Sequence, residues 1–402
     1  MFHSRTLARQ NEPIAKRAQP AAEAQVRRER AIGGALPLPA LQLLYRPTFS
    51  KRSRDGGRMI RLLIALTLTA LVGAPTAFAA PASKPDEGAS PGRLVRLPDG
   101  RRLNFRCSGT GSPTILLEGG YGATSLAWGG VRRRLAGAYR VCSYDRAGSG
   151  FSDPGPLPRD GEAIAKDLDQ GLRAAKIAGP FVLVGHSAGA LYVRLFYNRR
   201  PTDVVGMVLV DPSVEHQDQR FAAMFGPGAG GVGPIRDRAA RCQAAAERRQ
   251  LPSTEPDLER CTPKQSPNQS AAAYAAQKAK SLRASTWRTQ VSELDTLFAS
   301  TSAEIDAGPQ NYGDLPVLVL TAGRTYENAP EEARAQLQNL WWGLHRELAR
   351  RSSRGESRRF ADASHMMITE KPELVAAAIA EIAQQATGRG DGLPSQPTQG
   401  RE

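Results

Sequence analysis

The residues best arranged for chemistry lie at 181–196, where the sequence reads FVLVGHSAGALYVRLF. An apolar run typical of a buried strand leads directly into the segment GHSAG at 185–189, and a helical pattern follows at once. A glycine two residues before and two residues after Ser187 allows a sharp turn between strand and helix, where larger side chains would collide with the neighbouring backbone. The pattern predicts that Ser187 is a nucleophile raised above a sheet, with a helix N-terminus facing the developing negative charge.

The elements around this segment predict the fold that must position it. Near-continuous apolar runs are typical of strands buried on both faces, and their alternation with helices predicts an open, mostly parallel sheet covered on both sides. Residues 213–313 break the alternation and are too long for a simple connection, so we expect a mainly helical insertion that caps the active-site mouth. Strands are predicted at 93–97, 102–107, 114–117, 139–144, 181–184, 204–210, 315–320 and 358–361, and the main helices at 125–135, 161–177, 188–198, 330–350 and 372–385.

Three further segments give the chain a resemblance to the α/β-hydrolase superfamily. ILLEGGYGATSLAW at 115–128 is similar to that family's oxyanion loop, and SYDRAGSGFSDPG at 143–155 to the segment after its fourth strand. ADASHMMITEKPELV at 361–375 resembles its histidine loop and last helix. For residues 93–386 the resemblance implies an α/β fold, with a mostly parallel, eight-stranded, doubly wound sheet and a helical cap insertion.

A serine hydroxyl needs a general base, and the chain contains five histidines. His365 stands in the loop where the resemblance places the family's histidine, and it is the expected base, with His216 as the alternative. His3 lies far upstream. His345 falls in a helical pattern beside two tryptophans, where a packing or surface role is expected. The side chain of His186 is expected to point away from its neighbour, the nucleophilic serine.

The acid of the triad departs from the family's common pattern. Many relatives carry it after the strand at 315–320, but Thr325 stands at that position here. The preceding strand ends in Asp211, at the same C-terminal edge of the sheet, and some relatives use that site. An acid there also keeps the family's order of serine, acid and histidine along the chain. We expect Asp211 to be the acid, with Glu327 and Glu215 as the alternatives.

An oxyanion hole needs two backbone N–H groups. The resemblance assigns one to Ala188, directly after the nucleophile, and the other to Gly120 or Tyr121 in a loop that reads Glu-Gly-Gly where relatives often have His-Gly. Glu118 is expected to support this loop.

Two charged neighbours, Asp145 and Arg146, match a family signature that we interpret as structural. We expect them to form an ion pair that braces the loops near the site.

The four cysteines are Cys107, Cys142, Cys242 and Cys261, and their spacing matches no metal site. The family's strand order makes the second and fourth strands neighbours, so the resemblance implies a Cys107–Cys142 disulfide. The second pair, Cys242–Cys261, would then lie within the insertion. Four free thiols are the alternative.

The N-terminal region predicts export. A basic stretch ending at Arg61 precedes uncharged residues as far as Ala80, and Ala77-Phe78-Ala79 fits a signal-peptidase site. We therefore predict a signal peptide at 59–79 and a secreted or periplasmic protein; an uncleaved membrane anchor is the alternative. Before and after this segment we expect an upstream extension outside the mature protein (1–58), a linker (80–92) and a disordered tail (387–402).

The net charge of +15 is concentrated upstream, because residues 1–58 carry twelve Lys or Arg and four Asp or Glu. The remainder is only mildly basic, which argues against nucleic-acid binding. The sequence predicts an exported serine hydrolase that cleaves small-molecule carboxylic esters or amides through an acyl-enzyme on Ser187, with no metal or cofactor. An aminopeptidase, a thioesterase and a lactonase are alternatives on the same fold. A non-catalytic binding protein of this fold is disfavoured because serine and histidine are both present.

Overall fold

A computed structural model describes residues 86–266 and 269–388. The predicted upstream extension, signal peptide and most of the tail lie outside these residues, as does the first part of the linker. Within the described part of the chain, no helix is long and apolar enough to cross a membrane.

One eight-stranded sheet organises the part of the chain that the structure describes, with the strand order β1-β2-β4-β3-β5-β6-β7-β8. Only β2 runs antiparallel to its neighbours; the other pairs, from β4 to β8, are parallel. The strands are β1 (Arg93–Arg96), β2 (Arg102–Ser108), β3 (Thr114–Glu118), β4 (Arg140–Asp145), β5 (Phe181–His186), β6 (Val204–Val210), β7 (Val317–Ala322) and β8 (Gly355–Phe360).

Helices cover both faces of the sheet and fill the connection between β6 and β7. They are α1 (Gly129–Leu135), α2 (Gly161–Ala175), α3 (Gly189–Arg199), α4 (Gln217–Phe225), α5 (Gly233–Glu247), α6 (Pro256–Glu259), α7 (Ala271–Ser281), α8 (Ala284–Leu297), α9 (Ser300–Asp306), α10 (Glu331–Ala349), α11 (Met367–Glu370) and α12 (Pro372–Ala386). The mostly parallel, doubly wound α/β sheet expected from the sequence is confirmed.

The central strand β5 explains why its sequence is apolar without alternation. Successive side chains point to opposite faces, so Val182 and Val184 pack in a core formed with α1, α11 and α12. Phe181 and Leu183 pack on the other face, in a core that α2, α3 and α10 share. Because both faces are covered, every residue of β5 is buried.

The last strand departs from its predicted bounds. The sequence suggests a weak strand at 358–361, whereas β8 begins at Gly355 and ends at Phe360. This strand lies at the sheet edge, pairs only with β7 and is half-exposed. It therefore carries polar residues, and its sequence lacks the continuous apolar run by which the buried strands are recognised.

Six helices, α4 to α9, occupy the stretch where the sequence predicts an insertion. A small apolar core of its own joins α5 to α8 through side chains that include Cys242 and Trp287. Cys242 on α5 is bonded to Cys261, with the two Cα atoms 5.4 Å apart. The other disulfide joins Cys107 and Cys142, which lie directly opposite each other on β2 and β4. Both disulfides are those that the family resemblance implied.

The disulfide of the insertion should contribute measurably to stability, because it closes a loop with a sequence separation of 19 residues. Loop-closure entropy predicts that the double variant Cys242→Ala/Cys261→Ala loses about 3 kcal/mol of unfolding free energy. Urea unfolding followed by circular dichroism measures this loss. The matched variant Cys107→Ala/Cys142→Ala should lose slightly more, since its loop is longer. An unchanged urea midpoint in both variants would contradict the prediction.

Candidate active site

The turn between β5 and α3 holds Ser187 in a strained backbone conformation. Its φ is +53°, in the left-handed region that a residue with a side chain rarely adopts. The turn requires its flanking glycines: a Cβ on Gly185 would lie 2.6 Å from the Cα of Ala190, and one on Gly189 would lie 2.6 Å from the carbonyl oxygen of Glu118. Ser187 N–H donates to the carbonyl of Val210 at 3.1 Å, which anchors the turn to β6.

His365 and Asp211 are joined by a hydrogen bond of 2.7 Å between Nδ1 of the imidazole and Oδ2 of the carboxylate. The Asp211 side chain is fully buried, whereas that of His365 is 36% exposed. Since Nδ1 is occupied by the carboxylate, Nε2 is the ring nitrogen left to exchange a proton with another group.

Four donors surround the buried carboxylate of Asp211. Besides His365, these are the Thr325 hydroxyl at 2.6 Å, the Trp341 indole N–H at 2.8 Å and the backbone N–H of Ala322 at 3.0 Å. Burial by itself raises the pKa of Asp211, but the hydrogen bond from His365, nearby positive charge and the Thr325 hydroxyl outweigh it and hold that pKa at about 2. The carboxylate is therefore ionised at neutral pH.

Thr325, at the position where the family resemblance suggested an acid, thus donates to the carboxylate of Asp211 that follows β6. Neither it nor Trp341 was among the residues that sequence reasoning selected for the site. Thr325 was visible only as a departure from a pattern, and nothing in the sequence relates Trp341 to Asp211.

The alternative site residues bind other partners. Glu215 accepts from Arg194 at 2.6 Å and also pairs with Arg351, while Glu327 pairs with Arg324 at 2.7 Å. The alternative base, His216, lies 2.6 Å from Asp306 on the surface. None of these contacts involves Ser187.

The sequence suggested that the side chain of His186 points away from the site. In the structure it lies against the loop of His365 instead. Its Nε2 donates to the carbonyl oxygen of His365 at 2.8 Å, and the two rings lie 4.8 Å apart. The reason is strand alternation: His186 shares the sheet face of Val182 and Val184, and the loop that carries His365 leads into α11 on that face. Burial, reinforced by the charge of His365, lowers the pKa of His186 to about 4, so this imidazole is neutral.

His345 also supports the site from a fully buried position. Its Nε2 donates to the carbonyl of Pro212 at 2.9 Å, and its Nδ1 accepts from the Thr321 hydroxyl at 2.6 Å. The ring packs against Trp341 at 4.5 Å. Burial lowers the pKa of His345 to about 4, which keeps it in the neutral form that this pair of hydrogen bonds requires.

The expected oxyanion loop lies against Ser187. A Cβ on Gly120 would be 3.0 Å from the Cβ of Ser187, so the two segments are in tight contact and a larger residue there would require Ser187 to shift. Ala188, at the N-cap of α3, supplies one of the N–H groups that a helix leaves unpaired at its start. Of the expected donors, Ala188 is therefore next to Ser187 along the chain and Gly120 lies against it in space, while Tyr121 follows Gly120 in the loop.

Arg146 does not pair with Asp145, which corrects the expected ion pair. The Arg146 guanidinium binds Glu118 at 2.7 Å and Glu293 at 3.0 Å, while Asp145 accepts from the backbone N–H of Ser125 at 2.7 Å. Asp145 is the last residue of β4, and successive residues there point to opposite sides, so the two charges are directed apart. Sequence reasoning missed Glu293, because it lies in the insertion, far from Arg146 along the chain.

Because His186 and His345 are buried in the neutral form, we expect the free energy of unfolding to fall at acidic pH. Between about pH 6.5 and 4 the unfolded chain binds protons at these imidazoles and the folded chain does not, so stability is present above this range and lost as the pH falls through it. The wild type should lose about 2 kcal/mol more than His345→Gln between pH 7.5 and 5. Urea midpoints at both pH values measure this difference; parallel losses in the two proteins would contradict it.

Comparison with known proteins places this geometry in a family. A model of the alpha/beta hydrolase family matches residues 115–378, which include all the site residues described above. An esterase from Exiguobacterium antarcticum superposes with a TM-score of 0.50 at 14% identity, covering 73% of this chain and 99% of the esterase. A hydrolase-fold protein from Burkholderia ambifaria superposes with a TM-score of 0.50 at 18% identity, covering 72% of this chain and 97% of that one. Both likenesses concern the fold.

Curated relatives match shorter segments. The probable transporter efuK of Hormonema carpetanum is 40% identical over 128 residues, which are 30% of this chain and 18% of efuK. The uncharacterized protein YqjL of Bacillus subtilis is 34% identical over 106 residues, 26% of this chain and 42% of YqjL. The chain thus spans less than half the length of these relatives. The family match over residues 115–378, together with the sheet order, shows that this chain belongs to the α/β-hydrolase family.

Proposed function

We propose that this protein is a serine hydrolase that cleaves carboxylic esters through an acyl-enzyme on Ser187. The observation that carries the proposal is the 2.7 Å hydrogen bond between His365 and the buried carboxylate of Asp211, at the sheet edge where the strained turn presents Ser187. A buried, ionised acid that orients an imidazole is costly to maintain, and it has a clear use as the support of a general base.

In this mechanism His365 takes the proton of the Ser187 hydroxyl at Nε2 as the oxygen attacks the ester carbonyl. Asp211 holds the imidazole in the required tautomer and stabilises the imidazolium. The tetrahedral oxyanion accepts hydrogen bonds from the N–H of Ala188 and from the loop at Gly120 and Tyr121. His365 then gives its proton to the leaving alcohol, and water, activated by the same imidazole, releases the acid.

We also propose that the protein acts outside the cytoplasm, in the periplasm or after secretion. Two disulfides support this proposal, since such bonds form and persist mainly in oxidising compartments. The predicted signal peptide at 59–79 is consistent with the same location.

The nucleophile is tested with a fluorophosphonate probe and a series of nitrophenyl esters of increasing chain length. Wild-type protein, prepared from residue 80 onward, should be labelled and should hydrolyse at least the short esters. Ser187→Ala should not be labelled, and its ester turnover should fall by about 10⁴-fold or more. Folded wild-type protein that neither reacts with the probe nor hydrolyses any ester would refute the proposed function.

The acid is tested with Asp211→Asn, which preserves the shape of the side chain but favours the wrong imidazole tautomer. We expect kcat to fall by about 10³- to 10⁴-fold. The matched control is Glu327→Gln, which changes the alternative carboxylate and should leave kcat within about two-fold of wild type. Steady-state kinetics decide between them: a large loss in Glu327→Gln with little loss in Asp211→Asn would assign the acid to Glu327.

A further inference from the structure

Three charged side chains form a cluster beneath the oxyanion loop. The proposed mechanism does not use this cluster. Arg146, Glu118 and Glu293 are each only 2% exposed. Glu293 belongs to α8 of the insertion. Its carboxylate accepts two hydrogen bonds from Arg146, one from Nε at 3.1 Å and one from Nη2 at 3.0 Å. Buried charges of this kind are retained at a cost in desolvation, which suggests that the arrangement they hold has a use.

The same guanidinium binds two backbone carbonyls of the oxyanion loop. Arg146 donates to the carbonyl oxygens of Gly119 and Gly120 at 2.7 and 2.9 Å. Both peptide bonds that follow these carbonyls are trans, and in a trans peptide the C=O and the next N–H point in opposite directions. The N–H groups of Gly120 and Tyr121 are therefore turned away from Arg146, and these are the loop groups that the oxyanion would need.

Helix α8 contacts this region at further points. The Tyr121 hydroxyl donates to Oε1 of Gln290 at 2.9 Å, one helical turn before Glu293. Thr289 lies so close to the loop after β4 that a Cβ on Gly148 would come within 2.1 Å of its hydroxyl. The backbone N–H of Arg159 donates to Ser292 on the same helix at 2.9 Å. These contacts fix the position of α8 relative to the oxyanion loop and to the segment that follows β4.

We propose that Arg146 is a positioning residue for the oxyanion hole and that Glu293, on α8 of the insertion, locks it in place. The inference rests on the proposed ester hydrolysis for its kinetic consequence, but not for the loop geometry itself. The insertion would then do more than shape a pocket: it would complete the oxyanion hole, so that any movement of α8 would alter transition-state stabilisation.

The test compares Glu293→Gln and Arg146→Lys with Asp295→Asn. Asp295 lies two residues further along α8 and pairs with Arg236 within the insertion, where the side chains of Asp295 and Arg236 are 48% and 40% exposed, so it is a matched control. Lysine cannot reproduce the paired contacts of the guanidinium. We expect kcat to fall about 10²-fold in Arg146→Lys and about 10-fold in Glu293→Gln, with KM changed by less than about three-fold, because the oxyanion develops only in the transition state.

A trifluoromethyl ketone, whose adduct with the serine carries an oxyanion, should lose affinity in parallel with kcat/KM. Asp295→Asn should remain within about two-fold of wild type in both measurements. If Glu293→Gln lowers the melting temperature but keeps wild-type kcat and ketone affinity, the cluster is only structural and the proposal is wrong.

Amide hydrogen exchange of the loop at 118–122 provides a readout that needs no activity. We expect exchange of these amides to become at least about 10-fold faster in Glu293→Gln and to stay unchanged in Asp295→Asn. Wild-type protein without esterase activity would refute the proposed function, but the exchange rates of the loop amides would still test the positioning role of Arg146 and Glu293. Unchanged exchange in Glu293→Gln would overturn the positioning proposal whatever the activity.

Discussion

A buried, ionised carboxylate at the end of β6 organises the C-terminal edge of this sheet. Asp211 accepts hydrogen bonds from the end of β7, the loop after it, α10 and the loop after β8. An uncompensated charge in such a position would be very costly, so these four elements must meet around it. Losing any one donor would leave the carboxylate less stabilised.

A second buried charge performs a similar role on the other side of Ser187. The Arg146 guanidinium connects β3, the oxyanion loop and α8 through side chains and carbonyls that have little contact with water. Between these two centres lies the strained turn at Ser187, whose glycine neighbours allow β3 and α3 to approach closely. The strained turn is therefore held between two buried ionic networks, one mainly from the sheet edge and one that includes the insertion.

Several expectations from the sequence agree with this arrangement, for identifiable reasons. The turn at Ser187 is a local feature, because its conformation depends on glycines within two residues. The packing of β5 is equally local, since its uninterrupted apolar run requires cover on both faces. His186 and Arg146 were misjudged because the direction of a side chain at a strand end depends on which loops cover each face. Likewise Thr325 and Trp341 can donate to Asp211 only when β6, β7 and α10 lie side by side.

The amino-acid sequence already specifies the order of strands and helices, the strained serine turn and the residue types available for acid and base. These properties arise from periodicity and from steric limits that act over a few residues. Three other features come from the packing of distant elements: Asp211 supplies the carboxylate bound to His365, His186 lies against the loop of His365, and Glu293 reaches Arg146 from the insertion. Hydrogen bonds between residues more than a hundred positions apart depend on how the elements pack, and no local pattern in the chain encodes that packing.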